Sequence, residues 1–210
     1  MVAPADSEKD VYSTEPAFDV IAIGSSAGGV NALIHILSPL PHEFPAAILA
    51  VQHLDPRVPS RLADVLARKT ELPVVQASDG ERIRAGTVYL APPDVHMQVE
   101  SRGILSLSHS PIVKYVRPSI DVLFTSVAEV YGHRCLGVIL TGRGNDGAKG
   151  LRAIHQSGGL VIIENPVSAA YKDMPTAAIQ SDEPDYILSL DEIPRKIVEL
   201  MNLRDDADGE

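Results

Sequence analysis

The sequence predicts an α/β fold: a doubly wound, mostly parallel sheet flanked by helices, with an inserted antiparallel hairpin. Three observations carry this. Short apolar runs alternate with segments of helical periodicity along nearly the whole chain. Three of those runs, at Phe18 to Ile23, Ala46 to Gln52 and Cys135 to Thr141, are apolar enough for strands buried on both faces. Finally, Asp94 to Leu107 alternates around Ser101-Arg102-Gly103, which reads as a hairpin interrupting the order.

The elements follow in chain order. Residues 1–17 form a polar, Ser- and Pro-bearing stretch expected to be a disordered tail. Phe18 to Ile23 is the first strand. Gly24-Ser25-Ser26-Ala27-Gly28-Gly29 follows, and then a helical pattern of Val30, Leu33, Ile34 and Leu37. Ala46 to Gln52 is the second strand. Pro56 to Lys69 carries Val58, Leu62, Val65 and Leu66 at helical spacing, and Pro73 to Gln76 and Thr87 to Ala91 are short strands. Pro118 is expected at the first position of a helix whose face is Ile120, Leu123, Phe124, Val127 and Val130. Beyond the strand Cys135 to Thr141, Asp146 to Gln156 is helical and Gly159 to Glu164 extended. Pro166 to Ile179 is helical in part, Tyr186 to Leu190 is a last strand and Asp191 to Leu203 a last helix. The domain thus spans 18–203, and residues 204–210 form an acidic tail.

Composition narrows the function. The chain has 210 residues and a formal net charge of −10, which argues against a nucleic-acid partner. The amino terminus has neither a basic nor an apolar segment of a signal peptide, and no apolar run is long enough to span a membrane. A cytoplasmic protein without membrane insertion is expected. The single cysteine, Cys135, lies in an apolar run and reads as a buried, inert thiol. No histidine spacing suits a metal, so neither a catalytic metal nor another cofactor is expected.

The chemistry is expected where the strands end. Gly24-Ser25-Ser26-Ala27-Gly28 matches G-x-S-x-G, the nucleophile elbow, with Ser26 at the serine position. A serine helix cap and an anion-binding turn are the competing readings. His53 follows the second strand and Asp146 follows the strand Cys135 to Thr141. A serine needs a base, and the base needs an acid to hold its tautomer. All three types therefore stand at strand ends, although His53 could be an edge histidine and Asp146 a helix cap. The order serine, histidine, aspartate differs from that of the α/β-hydrolase fold; that order would require His155, which lies mid-helix. Arg57 and Arg61, four apart on the helix expected after His53, are candidates for a basic substrate rim, with a solvated helix face as the alternative.

These residues resemble the catalytic domain of the CheB family, the chemotaxis receptor protein-glutamate methylesterases. The resemblance runs from Phe18 to Leu203. It includes Ile23 to Gly29, Gln52-His53, Asp79-Gly80, Tyr89-Leu90-Ala91-Pro92, His96-Met97, Arg117 to Phe124, Val138 to Gly142, Asn145-Asp146-Gly147-Ala148 and Met174-Pro175. It implies a catalytic triad of Ser26, His53 and Asp146, hydrolysis of glutamyl γ-methyl esters on the cytoplasmic region of methylated chemoreceptors, and glutamine deamidation. Backbone N–H groups near Ala27 or Arg143 become oxyanion-hole candidates. Departures from the family pattern are Arg143 in place of its usual methionine, Ala27 in place of threonine after the serine, and Val116 in place of histidine before Arg117. The stretch before Phe18 is too short for the receiver domain of many members, so a stand-alone methylesterase or an excised catalytic domain is expected. An esterase for another substrate, or a non-catalytic binding module for a receptor or signalling partner, are the alternatives.

Overall fold

The computed structural model describes residues 18–202, Pro56 and Pro59 excepted; the expected tails lie outside the described residues. Seven parallel strands form one sheet in the order β3-β4-β2-β1-β7-β8-β9. They are β1 Val20–Ser25, β2 Ala47–Gln52, β3 Val74–Gln76, β4 Val88–Leu90, β7 Cys135–Ile139, β8 Leu160–Glu164 and β9 Tyr186–Leu188. The other two, β5 His96–Glu100 and β6 Ile104–Ser108, form the separate antiparallel hairpin. The helices are α1 Gly29–Leu37, α2 Leu62–Ala67, α3 Ile120–Tyr131, α4 Ala148–Gln156, α5 Asp173–Ser181 and α6 Ile193–Asn202.

Strand β1 lies between β2 and β7. From β1 the chain passes to β2, out to the edge strand β3 and back to β4 between them on one side, and runs through β7, β8 and β9 on the other. That reversal opens a crevice beyond the carboxyl ends of β1, β2 and β7, where ligands bind in open α/β sheets. All six residues of β1 and of β2 are buried, as expected for central strands covered on both faces.

Alternation along β1 divides two cores. Ile21 and Ile23 join one cluster with Leu33 and Ile36 of α1 and Ile193 and Ile197 of α6. Val20 and Ala22 join the other with Leu123, Phe124 and Val127 of α3 and Ile154 of α4. The hairpin belongs to this second cluster through Met97, Val99 and Leu105. It packs on α3, where Val99 N–H donates to Ser126 Oγ at 3.0 Å. Among the described residues no helix is long and apolar enough to cross a membrane.

Three of the boundaries that differ from the sequence expectation bear on the site. The helix expected over Pro56 to Lys69 is only the six residues of α2, so Arg57 lies in the preceding turn and Arg61 is the N-cap. Arg57 and Arg61 therefore do not share a helix face. Pro118 is not the first helical residue: Ser119 is the N-cap of α3, accepting the Val122 N–H, and Pro118 precedes it. Helix α4 starts at Ala148 behind Gly147, whose φ of 95° is left-handed, so Asp146 stands outside it. The carboxylate of Asp146 serves another helix.

Candidate active site

Ser26 is the first residue beyond β1. Its N–H donates to Thr141 O at 3.0 Å, and its carbonyl accepts the Gly29 N–H at 2.8 Å. Gly28 has a φ of 79°, which suits glycine and turns the chain directly into α1. The half-buried Ser26 hydroxyl makes no hydrogen bond among the described residues. A second close approach comes from the loop after β7. A Cβ on Gly142 would stand 2.8 Å from Ser26 Cβ and collide with Met174 Sδ, so this backbone lies directly against the serine.

His53 stands beside Ser26 because β1 and β2 run parallel in register, Ser25 against Gln52. The His53 N–H donates to Ser25 O at 3.1 Å. Gln52 ties the two ends together. Its Nε2 donates to both Ser26 O and His53 O at 2.8 Å, and its Oε1 accepts the Ser25 hydroxyl at 2.7 Å.

Asp146 completes the cluster, only 4% exposed, with Oδ2 3.0 Å from His53 Nε2. The same carboxylate accepts three further hydrogen bonds at the amino end of α3: from Ile120 N–H at 2.6 Å, Asp121 N–H at 3.2 Å and Ser119 Oγ at 2.8 Å. A helix amino terminus favours an anion. Burial by itself would push this carboxyl up; the hydrogen bonds from His53, Ile120 and Ser119 outweigh it and hold Asp146 below the ordinary carboxylate range. The ionised Asp146 accepts from Nε2, which puts the ring proton on that nitrogen. Nδ1 makes no hydrogen bond among the described residues and keeps its lone pair.

A second layer backs Asp146. The buried His96 accepts the Ser119 N–H on Nδ1 at 3.1 Å, and its Nε2 lies 3.2 Å from Pro111 O. Because Nδ1 accepts, Nε2 carries the proton and donates to that carbonyl. Thr141 ties the serine turn to its neighbours. Its N–H donates to the buried Glu164 at 2.7 Å, and its hydroxyl donates to Ala27 O at 3.0 Å while accepting the Tyr171 N–H at 2.8 Å. Burial raises the Glu164 carboxyl, and the Thr141 N–H only partly offsets this.

The sequence pointed to Ser26, His53 and Asp146, and the fold brings them to adjoining strand ends. The backbone N–H groups of Ala27 and Arg143 make no hydrogen bond among the described residues, which leaves both available to a ligand. The Arg143 side chain is exposed, its guanidinium 5.0 Å from the centre of the Tyr171 ring. Arg57 and Arg61 are each engaged by an acid of their own segment. Arg57 grips Asp55 through two nitrogens at 2.8 and 2.9 Å, and its hydrogen bonds lower the Asp55 carboxyl to about 2. Arg61 lies 3.8 Å from Asp64. His155 pairs with Asp182 at 3.0 Å. Cys135 is buried, which pushes its thiol up to about 12. Among the described residues no three His, Cys, Asp or Glu side chains converge as metal ligands would.

Sequence reasoning did not single out Gln52, Ser119, His96 or Thr141 for a role in the site. Ser119 had a local signal, a serine before an apolar helix. Gln52 had a weaker one, a polar side chain closing an apolar strand. Thr141 closes an apolar run in the same way, and His96 was marked only by its place in a motif of the resemblance.

An open parallel sheet with a serine turn, a histidine and a carboxylate at adjoining strand ends has the architecture of a serine hydrolase. The comparisons are narrower. The model of the CheB methylesterase family matches residues 21–197. The chain is similar to the crystal structure of the Thermotoga maritima CheB methylesterase catalytic domain, with a TM-score of 0.83 and 38% identity, covering 87% of this chain and 98% of that one. A relative from Leptospira interrogans is 40% identical over 183 residues, 87% of this chain and 95% of its own. One from Anaeromyxobacter dehalogenans, named protein-glutamate methylesterase/protein-glutamine glutaminase 2, is 43% identical over 182 residues; the match covers 87% of this chain and 53% of that protein. The chain belongs to the CheB methylesterase family.

Proposed function

We propose that this protein is a protein-glutamate methylesterase, a serine hydrolase acting on glutamyl γ-methyl esters in the cytoplasmic region of methylated chemoreceptors. The observation that carries the reading is the pairing of His53 Nε2 with Asp146 beside the Ser26 turn. It leaves an unprotonated nitrogen, beside a hydroxyl that makes no hydrogen bond among the described residues, at adjoining strand ends.

Ser26 Oγ attacks the ester carbonyl while His53 Nδ1 takes its proton. The carbonyl oxygen becomes an oxyanion, received by the free N–H groups of Ala27 and Arg143; one such donor is typically worth about 3 kcal/mol in the transition state. As the C–O bond breaks, His53 returns the proton to the departing methoxy oxygen and methanol leaves. Water then gives a proton to His53 and attacks the acyl-enzyme; as the bond to Ser26 Oγ breaks, His53 returns that proton to Oγ, releasing glutamate and restoring Ser26. A glutamine side chain follows the same route with ammonia as leaving group, which supports glutaminase activity as well. Asp146 holds the imidazole and stabilises its cation. A non-catalytic binding module has no use for this arrangement.

The test is methanol release from methylated receptor membranes, with the wild-type protein and Ser26→Ala. Release by the wild type alone supports the proposal; no release by the wild type, or equal release by both, refutes it.

A further inference from the structure

The cations free to meet a substrate are not those beside His53. Arg57 and Arg61 face Asp55 and Asp64. Across the site, a cleft of about 330 Å³ runs between α4 and α5, lined by Lys114, Asn145, Lys149, Arg152, Gln180 and Ser181. Its walls are joined where Ser181 Oγ donates to Ala148 O at 3.0 Å. Lys149 and Arg152 are exposed and make no ion pair among the described residues. Lys114 is fixed by Asp121, at 2.8 Å, and by Asn145 O, at 3.0 Å. The cleft therefore shares Asn145 with the loop that carries Arg143 and Asp146.

This is a concentration of positive charge on a protein whose net charge is −10. Lys149 and Arg152 lie three residues apart on one helix face. Carboxylates three or four apart on a partner helix have the same repeat, about 5–6 Å between Cβ atoms. We infer that this cleft is a docking site for acidic side chains of a helical substrate segment, flanking the glutamyl ester presented to Ser26. The inference rests on the methylesterase reading for the ester, but not for the binding. Opposite charge across a rim acts mainly on association, and salt weakens it.

The experiment uses two helical peptides, each with one glutamyl γ-methyl ester, flanked at three and four residues by glutamate in one and by glutamine in the other. A small neutral glutamyl methyl ester is the control. The wild type should show a KM roughly tenfold lower for the glutamate-flanked peptide at low salt, a preference that fades as salt rises. Lys149→Glu with Arg152→Glu should abolish that preference and leave turnover of the small ester unchanged. Equal KM values for both peptides with the wild type, or an undiminished preference in the double variant, would overturn the inference. Fluorescence anisotropy of the labelled glutamate-flanked peptide decides the matter without turnover. If no ester is hydrolysed, the methylesterase reading fails, while binding lost in the double variant still supports the cleft and equal binding overturns it.

Discussion

His53 meets Asp146 through Nε2, at 3.0 Å, and the same carboxylate receives the first N–H groups of α3. One side chain thus holds the His53 ring and caps a helix that its own segment does not contain. Asp146→Asn should lower kcat by about 10³–10⁴-fold with little change in KM, as when a triad carboxylate loses its charge in other serine hydrolases. It should also lower stability. The Asp146 carboxyl titrates below 3.8 in the folded protein. Its contribution is therefore present above the unfolded value and is lost as pH falls through the folded one. Melting curves should separate the wild type and the variant at neutral pH and converge in acid.

The two neighbouring serines should behave oppositely. Ser26→Ala removes a hydroxyl with no hydrogen bond among the described residues, so stability should stay within about 0.5 kcal/mol while turnover falls by orders of magnitude. Ser25→Ala removes the buried donor to Gln52 Oε1. That should cost about 1–3 kcal/mol and reduce turnover less. Denaturant unfolding together with methanol release checks both.

His96 gives the fold a second pH dependence. Burial lowers its pKa below 6.5 against the opposing pull of the Pro111 carbonyl; the nearby Arg117 adds to the lowering and Asp146 opposes it. A proton on Nδ1 would meet the Ser119 N–H. Stability is full above the unfolded value and declines as pH drops toward the folded one. Melting temperature should fall as pH drops below the ordinary histidine value of about 6.5, and His96→Gln should flatten that part of the profile.

The arginines around the site should divide. Arg57→Ala with Arg61→Ala should leave KM within about twofold, because exposed pairs of this kind contribute little. Arg143→Met keeps the backbone N–H, so small-ester turnover should survive while affinity for acidic substrates weakens. Kinetics at low and high salt read both effects.

The sequence by itself determined the order of elements, the buried strands and the three residues at their ends. Those features are local: period, glycine turns, and polar residues closing apolar runs. The resemblance to methylesterases was legible for the same reason, since its motifs are contiguous. Partners distant in sequence came only from the tertiary structure. Asp146 read as a cap for the helix next to it, yet it caps α3, because closing the sheet brings β7's loop against the Ser119 turn. Which His53 nitrogen faces the carboxylate follows from where that carboxylate sits. Pro56 to Lys69 carried a helical period but kept only Leu62–Ala67 as helix, with Arg57 bound to Asp55 in the turn before it. Periodicity and caps are properties of neighbouring residues; hydrogen-bond partners across 26 or 93 positions, as for Ile120 and His53 with Asp146, exist only once the chain has closed.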